Sequence, residues 1–398
     1  METREDRGRA IAESAALQKG DGHLWLVPSQ TRLISYQVDE KKRTCTCPDW
    51  EKHQEPCKHV FAVEYTIQRQ TDAQGRTTVT ETMRVTYPQE WAAYNAAQTH
   101  EKEHVALLLR DLCAAIDNPV QKRGRPRLPL SDGVFSAVMK VYGATSGRRA
   151  MTDLREFEAK GYIAKAPCYN SVFNVLENPS VTNILRRMIE ESAAPLRAVE
   201  TDFAVDSSGF STSVYARWFS AKYGRTIDKN VWLKAHVMVG VKTNVIASVE
   251  VTDGFAADNP VMLDLLESAE GRFDMKRISA DKAYLGRTNL LAIEQAGAVP
   301  FIPFKSNTAF SGRADLWGRM FHYFMYNRDE FMKHYHLRSN VETTFAMVKA
   351  KFGTRIRSKT NVAQVNEVLC KLLCHNLCCL VHATYELGIE ATFWRAAA

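Results

Sequence analysis

The stretch Asp202-Phe203-Ala204-Val205-Asp206 predicts a β-strand, because three apolar residues lie between two acids. Two further strands are predicted at 231–241 and 245–251, and the polar turn Lys242-Thr243-Asn244 joins them as a hairpin. Helix and strand patterns then alternate. The remaining predicted elements are helices at 260–269 and 287–296, strands at 277–281 and 298–302, and a last helix at about 335–352. This order indicates an α/β fold in which helices flank a mixed sheet.

The last predicted helix carries an unusual set of polar side chains. Residues 335–349 have the sequence Tyr-His-Leu-Arg-Ser-Asn-Val-Glu-Thr-Thr-Phe-Ala-Met-Val-Lys. At about 100° per residue, four of them project onto one narrow stripe of a helix: Tyr335, Arg338, Glu342 and Lys349. A second stripe is apolar and is expected to seat the helix on the sheet: Val341, Phe345, Val348 and Phe352. An acid between cations on one face suits a metal ligand beside bound phosphates.

Two acids at strand ends complete a set of three carboxylates. Asp206 is followed by two serines, and Asp281 lies in the segment Ala-Asp-Lys-Ala-Tyr at 280–284. The Y-x2-R-x3-E-x6-K spacing of the last helix resembles that of insertion-sequence DDE transposases, and both strand motifs are similar to those around the family's first two acids. The resemblance covers about residues 200–382. It implies an RNase H-like sheet with Asp206, Asp281 and Glu342 as the catalytic acids.

The resemblance also implies a chemistry and a partner. The three carboxylates would hold a pair of Mg²⁺ or Mn²⁺ ions, which act on the attacking and leaving oxygens of an in-line displacement. Tyr335, Arg338 and Lys349 would position backbone phosphates. Hydrolysis at the ends of a mobile element is followed by strand transfer into target DNA. The implied partners are double-stranded DNA, both terminal inverted repeats and target, and a homodimer or larger assembly formed on it.

Each acid has a structural alternative. Asp206 and Asp281 could cap turns at strand ends, and Glu342 could pair with Arg338 one helical turn away. Asp202 competes with Asp206 as the first acid, because strand alternation puts both on one face. The two serines that follow Asp206 favour it over Asp202, since they resemble the family's pattern.

A cysteine-rich turn precedes these elements. Strand patterns at 23–27 and 33–38 lead to Cys45-Thr-Cys47, and nine residues later to Cys57-Lys-His59. Three thiolates and one imidazole are the ligand set of a closed, tetrahedral structural zinc site. The spacing C-x-C-x9-C-x-H resembles a SWIM zinc finger, which implies a small ββα module with a structural Zn²⁺ on Cys45, Cys47, Cys57 and His59. The alternative is chance clustering of thiols.

A second group of cysteines occurs near the C-terminal end. Cys370, Cys374 and Cys378 recur every four residues, with Cys379 and two histidines nearby. A second metal site is conceivable, but leucines surround them, and a free cysteine behaves as a small buried apolar residue. Core packing is therefore the favoured interpretation.

A basic segment lies in the first half of the chain. Residues 122–127, Lys-Arg-Gly-Arg-Pro-Arg, resemble an AT-hook. Glycine and proline keep such a strip thin enough for the minor groove, where A·T tracts attract inserted arginines. The resemblance implies DNA contacts by Arg123, Arg125 and Arg127, and the alternative is a solvated basic linker. A further basic run lies at 349–359.

The chain is thus predicted to have four parts. They are a zinc-finger module at 1–66, a helix (about 88–116) and basic linker at 67–130, a helical DNA-binding or dimerisation region at 131–199, and the catalytic domain at 200–398 with an aromatic-rich insertion at about 305–334. Helices joined by short polar turns suit DNA binding, but they occur in proteins of many functions.

Composition bounds the function classes. The net charge of +7, from 52 basic and 45 acidic residues, permits a polyanionic partner. Neither a signal-peptide core nor an apolar stretch long enough for a bilayer is predicted, so a cytoplasmic, nucleoid-associated protein without a membrane partner is expected. The nine cysteines favour metal ligands or buried thiols over disulfides in that compartment.

Two rival functions share most of these features. A domesticated zinc-finger DNA-binding protein or regulator that has lost transposition would be expected to lack one of the acids, and all three are present. A metal-dependent nuclease with other biology would cleave DNA without strand transfer. A strand-transfer assay separates it from a transposase.

Overall fold

The chain folds into two compact units, Met1–Gln89 and Glu90–Ala398. The computed structural model describes residues 3–14, 17–20, 22–30, 34–71, 77–81, 90–118, 127–212, 232–308 and 315–394. Mixed α/β architecture confirms the predicted fold class.

The first unit is a small antiparallel sheet with helices on it. Its strands β1 (Gln18–Lys19), β2 (Leu24–Pro28), β3 (Ser35–Asp39) and β4 (Thr44–Cys45) pair in chain order. Its helices are α1 (Arg4–Ser14), α2 (Pro48–His53) and α3 (Lys58–Thr66). A separate hairpin pairs β5 (Ile67–Thr71) with β6 (Thr77–Glu81).

The core of this unit lies between the sheet and α3. Trp25 and Val38 are fully buried on the strands, and Val60 packs onto them from the helix. Helix α1 crosses α3 at Gly8, where an added Cβ would lie 2.5 Å from the Cβ of Phe61. The two helix backbones therefore approach closely because position 8 carries no side chain.

The second unit contains a five-stranded mixed sheet among many helices. Its strands are β7 (Asp202–Ser211), β8 (Trp232–Gly240), β9 (Ile246–Asp253), β10 (Arg277–Ala280) and β11 (Val299–Phe301). The described helices before the sheet are α4 (Trp91–Cys113), α5 (Leu130–Tyr142), α6 (Gly147–Ala159), α7 (Tyr169–Leu176) and α8 (Pro179–Ala193). Those within and after it are α9 (Val261–Ala269), α10 (Arg287–Gln295), α11 (Leu316–Tyr326), α12 (Arg328–Tyr335), α13 (Ser339–Phe352) and α14 (Asn361–Leu387).

The first strand of the sheet is its centre. The order is β11-β10-β7-β8-β9, with β7, β8 and β9 antiparallel to one another and β10 and β11 parallel to β7. This is the RNase H-like arrangement predicted from the sequence. It brings the carboxyl end of β10 beside the middle of β7, since Ala280 pairs with Val205.

Helices cover both faces of the sheet. On one face, Ala204 and Phe210 of β7 share a core with helices α4, α5, α8, α13 and α14. On the other face, Phe203 and Val205 pack against α9 to α12. The apolar stripe predicted for the last helix is confirmed, because its four residues are buried in the first of these cores: Val341, Phe345, Val348 and Phe352.

Helix α14 is a core helix. By length and composition it could cross a membrane, but 83% of its most apolar window is buried inside the unit. Its four cysteines are buried, and burial raises the pKa of Cys370. Cys370, Cys374 and Cys378 pack in the first of these cores, which confirms the core-packing interpretation.

The predicted helix at 335–352 is interrupted. Residues 336–338 form a 3₁₀ turn between α12 and α13. The side chain of Ser339 donates to the carbonyl of His336, and that of Asn340 donates to the carbonyl of Leu337, at 2.9 Å each. These local bonds compete with regular helical bonding at this point. The predicted insertion contributes α11 and α12, whose Phe324 and Phe331 pack in the second core.

Candidate functional site

Alternation along β7 gives its two faces different roles. Asp206 and Ser208 share the face of Ala204 and Phe210, which α13 covers. Residues 203, 205 and 207 point to the opposite face. The first candidate acid therefore lies under the helix that carries Glu342.

Arg338 connects these two acids. Its Nη1 donates to Asp206 Oδ2 at 2.5 Å, and its Nη2 donates to Glu342 Oε1 at 2.6 Å. Asp206 and Arg338 are about four-fifths buried, whereas the Glu342 side chain is 60% exposed. The predicted pairing of Glu342 with Arg338 exists, and the same guanidinium also reaches the strand.

Asp281 enters from the neighbouring strand. It follows β10 directly, so the parallel register puts it beside Asp206. It caps the 3₁₀ turn Lys282–Tyr284, because its Oδ1 accepts from the backbone N–H of Lys282 at 2.8 Å. Asp281 therefore both caps a turn and lies beside Asp206.

The pKa of Asp206 reflects the proximity of the other two acids. Burial raises its pKa, and the nearby charges of Asp281 and Glu342 raise it further. The backbone N–H of Ser207 and the Arg338 guanidinium oppose them. Asp206 and Glu342 therefore share one guanidinium, and the charge of Asp281 lies close enough to act on Asp206. Hard oxygen donors in such an excess of negative charge suit Mg²⁺ or Mn²⁺.

Two further predicted DNA contacts lie around these acids. The Nζ of Lys349 donates to Ser208 Oγ at 2.6 Å, and burial lowers the pKa of this lysine. The guanidinium of Arg338 lies 5.8 Å from the ring centre of Tyr335, which also packs on the second core. Lys349 and Arg338 thus bracket Glu342 on one side of β7.

Asp202 lies elsewhere on the same strand. Its carboxylate forms two hydrogen bonds with the guanidinium of Arg277, at 2.7 and 3.1 Å. It pairs with the first residue of β10, whereas Asp281 follows the last. The structure therefore brings Asp206 beside Asp281 and Glu342, and leaves Asp202 four residues away.

Sequence reasoning missed a buried polar group on the opposite face of β7. His236 of β8 is fully buried, and burial lowers its pKa to about 4. Its Nδ1 lies 3.1 Å from the hydroxyl of Tyr284 and its Nε2 lies 3.0 Å from Thr252 Oγ1. Because Thr252 donates to a backbone carbonyl, its oxygen accepts from Nε2–H, and Tyr284 then donates to Nδ1. The one sequence signal for this group is Tyr284, which follows the candidate acid Asp281 by three residues.

The AT-hook prediction falls largely outside the described residues. Arg123 and Arg125 lie there, and Arg127 is the first described residue after them. The flanking residues are joined, since Asn118 Oδ1 accepts from the backbone N–H of Leu130 at 2.6 Å.

The four predicted zinc ligands converge in the first unit. Cys45 ends β4, Cys47 and Cys57 precede helices α2 and α3, and His59 lies in the first turn of α3. All four are buried, and one ligand atom from each lies within 4.8 Å of all the others. The three carboxylates form no group as compact as this among the described residues, and Arg338 stands between two of them.

The donor set fits a tetrahedral zinc ion. His59 Nδ1 lies 3.8 Å from Cys45 Sγ and 3.7 Å from Cys57 Sγ. Zinc–ligand bonds of usual length predict about 3.6 Å for such an edge of the tetrahedron. The buried Nε2 of His59 has no hydrogen-bond partner among the described residues, so it is Nδ1 that faces the thiols.

Comparison with known protein families gives two matches, one in each part of the chain that contains a candidate site. Residues 197–377 match the family described as transposase DDE domain, and residues 28–68 match the SWIM zinc finger. No curated protein matches the chain. The chain therefore contains a region similar to the transposase DDE domain, at 197–377, and a region similar to the SWIM zinc finger, at 28–68.

Proposed function

We propose that this protein cuts DNA at the ends of an insertion sequence and transfers the cut strands into target DNA. One observation carries the proposal: one guanidinium joins the carboxylates of β7 and α13, and the acid that follows β10 lies beside the first of them, within a domain that matches transposases. Asp206, Asp281 and Glu342 are the proposed catalytic acids.

The proposed reaction exchanges phosphodiester bonds. Water first attacks the phosphodiester at each end of the element, which releases a 3′-hydroxyl. That hydroxyl then attacks a target phosphodiester, so one P–O bond forms as another breaks and the displaced strand leaves with the proton. Bound Mg²⁺ or Mn²⁺ ions would supply Lewis acidity at the reacting phosphate and a more acidic attacking hydroxyl.

The side chains of this site have distinct roles in the proposal. The three acids hold the divalent ions, and burial of Asp206 keeps its carboxylate fixed beside Asp281. Arg338 and Lys349 bind backbone phosphates on either side of the acids, and Tyr335 supports Arg338 through its ring. Such contacts position the duplex without reading its sequence.

Other parts of the chain would add DNA affinity. The basic segment with Arg123, Arg125 and Arg127 would enter an A·T-rich minor groove, and the helices of 131–199 would contact the element's inverted repeats. Two ends must be brought together, so we expect a homodimer or larger assembly on nucleoid DNA in the cytoplasm. The zinc site is proposed to be structural, since its four protein ligands leave no open position.

The test is cleavage and strand transfer by the purified protein. Sequencing the DNA that flanks the gene gives the inverted repeats, and a duplex that carries one of them is incubated with Mg²⁺ or Mn²⁺. Replacing any acid with its amide, Asp206→Asn, Asp281→Asn or Glu342→Gln, should reduce both steps at least ~10³-fold, because the acids act as one set. Duplex binding should survive.

Asp202→Asn is the matched control, since it changes the same strand and the same residue type. Its amide keeps a hydrogen bond to Arg277, so most activity should remain. Full activity in Glu342→Gln, or a requirement for Asp202 with Asp206 dispensable, would show that the acids are wrongly chosen. Cleavage without strand transfer would favour the nuclease, and binding without cleavage the domesticated regulator.

A further inference from the structure

The second unit contains a basic cavity away from the three acids. It has a volume of about 600 Å³ and lies between α5, α6, α7 and the segment after α13. None of the three carboxylates lines it. Its walls combine one buried lysine, the start of a helix and several exposed basic side chains.

Lys140 is the most informative of these residues. It is only 5% exposed, and it lines the cavity. Within the described part of the chain, its ammonium forms no hydrogen bond and no ion pair. Its stem is buried, and the ammonium is not among the fully buried unpartnered atoms, so it is the charged end that reaches the open space of the cavity. The lysine therefore points to an anion in the cavity.

Helix α6 supplies further donors at the same place. It begins at Gly147, and the first N–H groups of a helix have no partner within that helix; here Ser146 Oγ caps the N–H of Arg149 at 3.4 Å and leaves those of Gly147 and Arg148 for a ligand. They carry a partial positive charge and bind anions well. The hydroxyl of Thr145, which also lines the cavity, is buried without a hydrogen-bond partner among the described residues. Lys140 and Thr145 thus line the same cavity as the start of α6.

The charge around the cavity is predominantly positive. Arg148, Arg357 and Lys359 line it, against the single exposed acid Glu177. The carboxylate of the buried Glu367 is already occupied, because it accepts from the backbone N–H groups of Arg357 and Ser358.

The neighbouring Lys371 reports the same excess of positive charge. Burial and the charges of Arg357 and Lys140 together lower its pKa to about 8, against the opposing effect of Glu367. Cations here outnumber the acids that could balance them.

The cavity is rigidly connected to the strand that carries Asp206. The backbone N–H of Ser211 donates to the carbonyl of Thr354, and the N–H of Ile356 donates back to Ser211. Ser211 lies five residues beyond Asp206, which is about 17 Å along a strand. A phosphate bound here would therefore be distinct from the reacting one, yet held at a fixed distance from it.

We propose that this cavity binds a backbone phosphate of the DNA substrate, with Lys140, Thr145 and the first turn of α6 as its donors and Arg148 and Arg357 at its rim. The proposal rests on the proposed function, since it takes DNA as the ligand. It gives the site a task that the acids cannot perform: fixing the register of the duplex relative to the scissile bond. The ring of Phe173, 38% exposed beside Gly147, offers an apolar surface to the adjoining sugar.

The test compares Lys140→Met with Lys276→Met in the full-length, zinc-loaded protein. Lys276 is exposed before β10, at the end of that strand opposite Asp281, and the second variant loses the same charge. Binding to an end duplex is measured by fluorescence anisotropy over a range of salt concentrations. Lys140→Met should lower the slope of log affinity against log salt by about 0.9, the value for one phosphate. Lys276→Met should change it less.

A second arm uses inorganic phosphate alone. Phosphate should raise the melting temperature of the unaltered protein more than chloride at equal ionic strength, and this increment should disappear in Lys140→Met. In chloride, Lys140→Met should be about as stable as the unaltered protein, because methionine keeps the buried stem and no described residue loses a hydrogen-bond partner. A lower melting temperature would show that the lysine is structural, and would overturn the proposal.

The remaining outcomes separate the two possible sources of the phosphate. If phosphate stabilises the protein but the salt slope is the same in both variants, the cavity binds a free anion and the DNA proposal is wrong. Arg357→Gln, at the exposed rim, repeats the comparison without touching the core and should also lower the slope. If the unaltered protein binds no duplex, the proposed function fails, while the phosphate arm still reports on the cavity.

Discussion

Arg338 is the residue that joins two of the three candidate catalytic acids. One guanidinium joins β7 to the first turn of α13, and its carboxylate partners raise the pKa of Arg338 despite its partial burial. It stabilises two acids that would otherwise repel each other. It also stands where a divalent ion would have to compete for the same oxygens.

Removing this guanidinium should therefore strengthen divalent-ion binding. Arg338→Gln should raise the affinity for Mn²⁺ at least about tenfold, because each hydrogen bond to a charged group is worth roughly 1.5–3 kcal/mol. Calorimetric titration of the zinc-loaded protein measures it. Arg272→Gln is the control, since Arg272 also contacts two acids, Glu190 and Glu191. Equal Mn²⁺ affinity in all three proteins would mean that Arg338 and the ion do not share ligands.

A second residue-scale prediction concerns pH. His375 of α14 is buried, its Nε2 lies 2.9 Å from the carbonyl of Asn244, and burial lowers its pKa from 6.5 to about 4. The unfolded chain takes up a proton below about pH 6.5, but the folded chain does not until about pH 4. As the pH falls from about 6.5 to about 4, the unfolding free energy should therefore decrease by about 1.4 kcal/mol per pH unit for this group.

His375→Gln should remove that part of the pH dependence, since an amide keeps a donor for Asn244 and does not titrate. Urea unfolding at pH 7 and pH 5 compares the slopes, and the slope from His236 should remain. His100→Gln, at an exposed position of α4, is the control and should match the unaltered protein. If His375→Gln has an undiminished slope, another group is responsible.

At the scale of elements, one side chain of α14 forms hydrogen bonds with both β9 and α8. Asn376 is fully buried, and its amide bonds both the N–H and the carbonyl of Ile246 on β9 at 2.8 Å. The same amide donates to Ile189 and Ser192 of α8. A single asparagine thus fixes a helix, a strand and a second helix in register.

Asn376→Leu should lower the unfolding free energy of this unit by about 3 kcal/mol or more, because several buried polar groups lose their partner. Chemical denaturation followed by circular dichroism measures the change. Asn361→Leu, at the exposed first position of the same helix, should alter it by less than about 1 kcal/mol. A small effect at Asn376 would mean that water or a rearranged backbone replaces its bonds.

The sequence predicts elements better than the contacts between them. Periodicity located β7 and the apolar stripe of α13, because alternation and helical spacing are local properties. It missed the 3₁₀ turn at 336–338, where Ser339 and Asn340 bond neighbouring carbonyls. The arginine bridge to Asp206 joins residues 132 positions apart, and Lys140 is unremarkable in its own helix. The roles of such groups depend on contacts between distant segments, which local sequence patterns do not show.

At the scale of the molecule, the two units should respond separately to loss of zinc. Purified protein is expected to carry about one zinc per chain. Cys45→Ser should unfold the first unit, because metal binding in such a small core is worth roughly 10 kcal/mol or more. The second unit should melt as before, since its core shares no residue with the first. Metal analysis and calorimetry measure both effects.

Cys168→Ser is the matched control, because Cys168 is the exposed cysteine of α7's N-terminal cap. It should leave the zinc content and both transitions unchanged. A folded, full-length protein that contains no zinc would end the structural-zinc hypothesis.

The central position of α14 has a consequence for how the protein is made. Helices α4, α5 and α8 and strand β9 all contact a helix that begins only at residue 361. At about 5–20 residues per second, a ribosome needs roughly 15–55 s to proceed from residue 90 to that point. Throughout this interval the earlier helices and the sheet have their apolar faces open to chaperones and to other nascent chains. A chain that ends between α13 and α14 therefore has all three acids but no closed core to hold them.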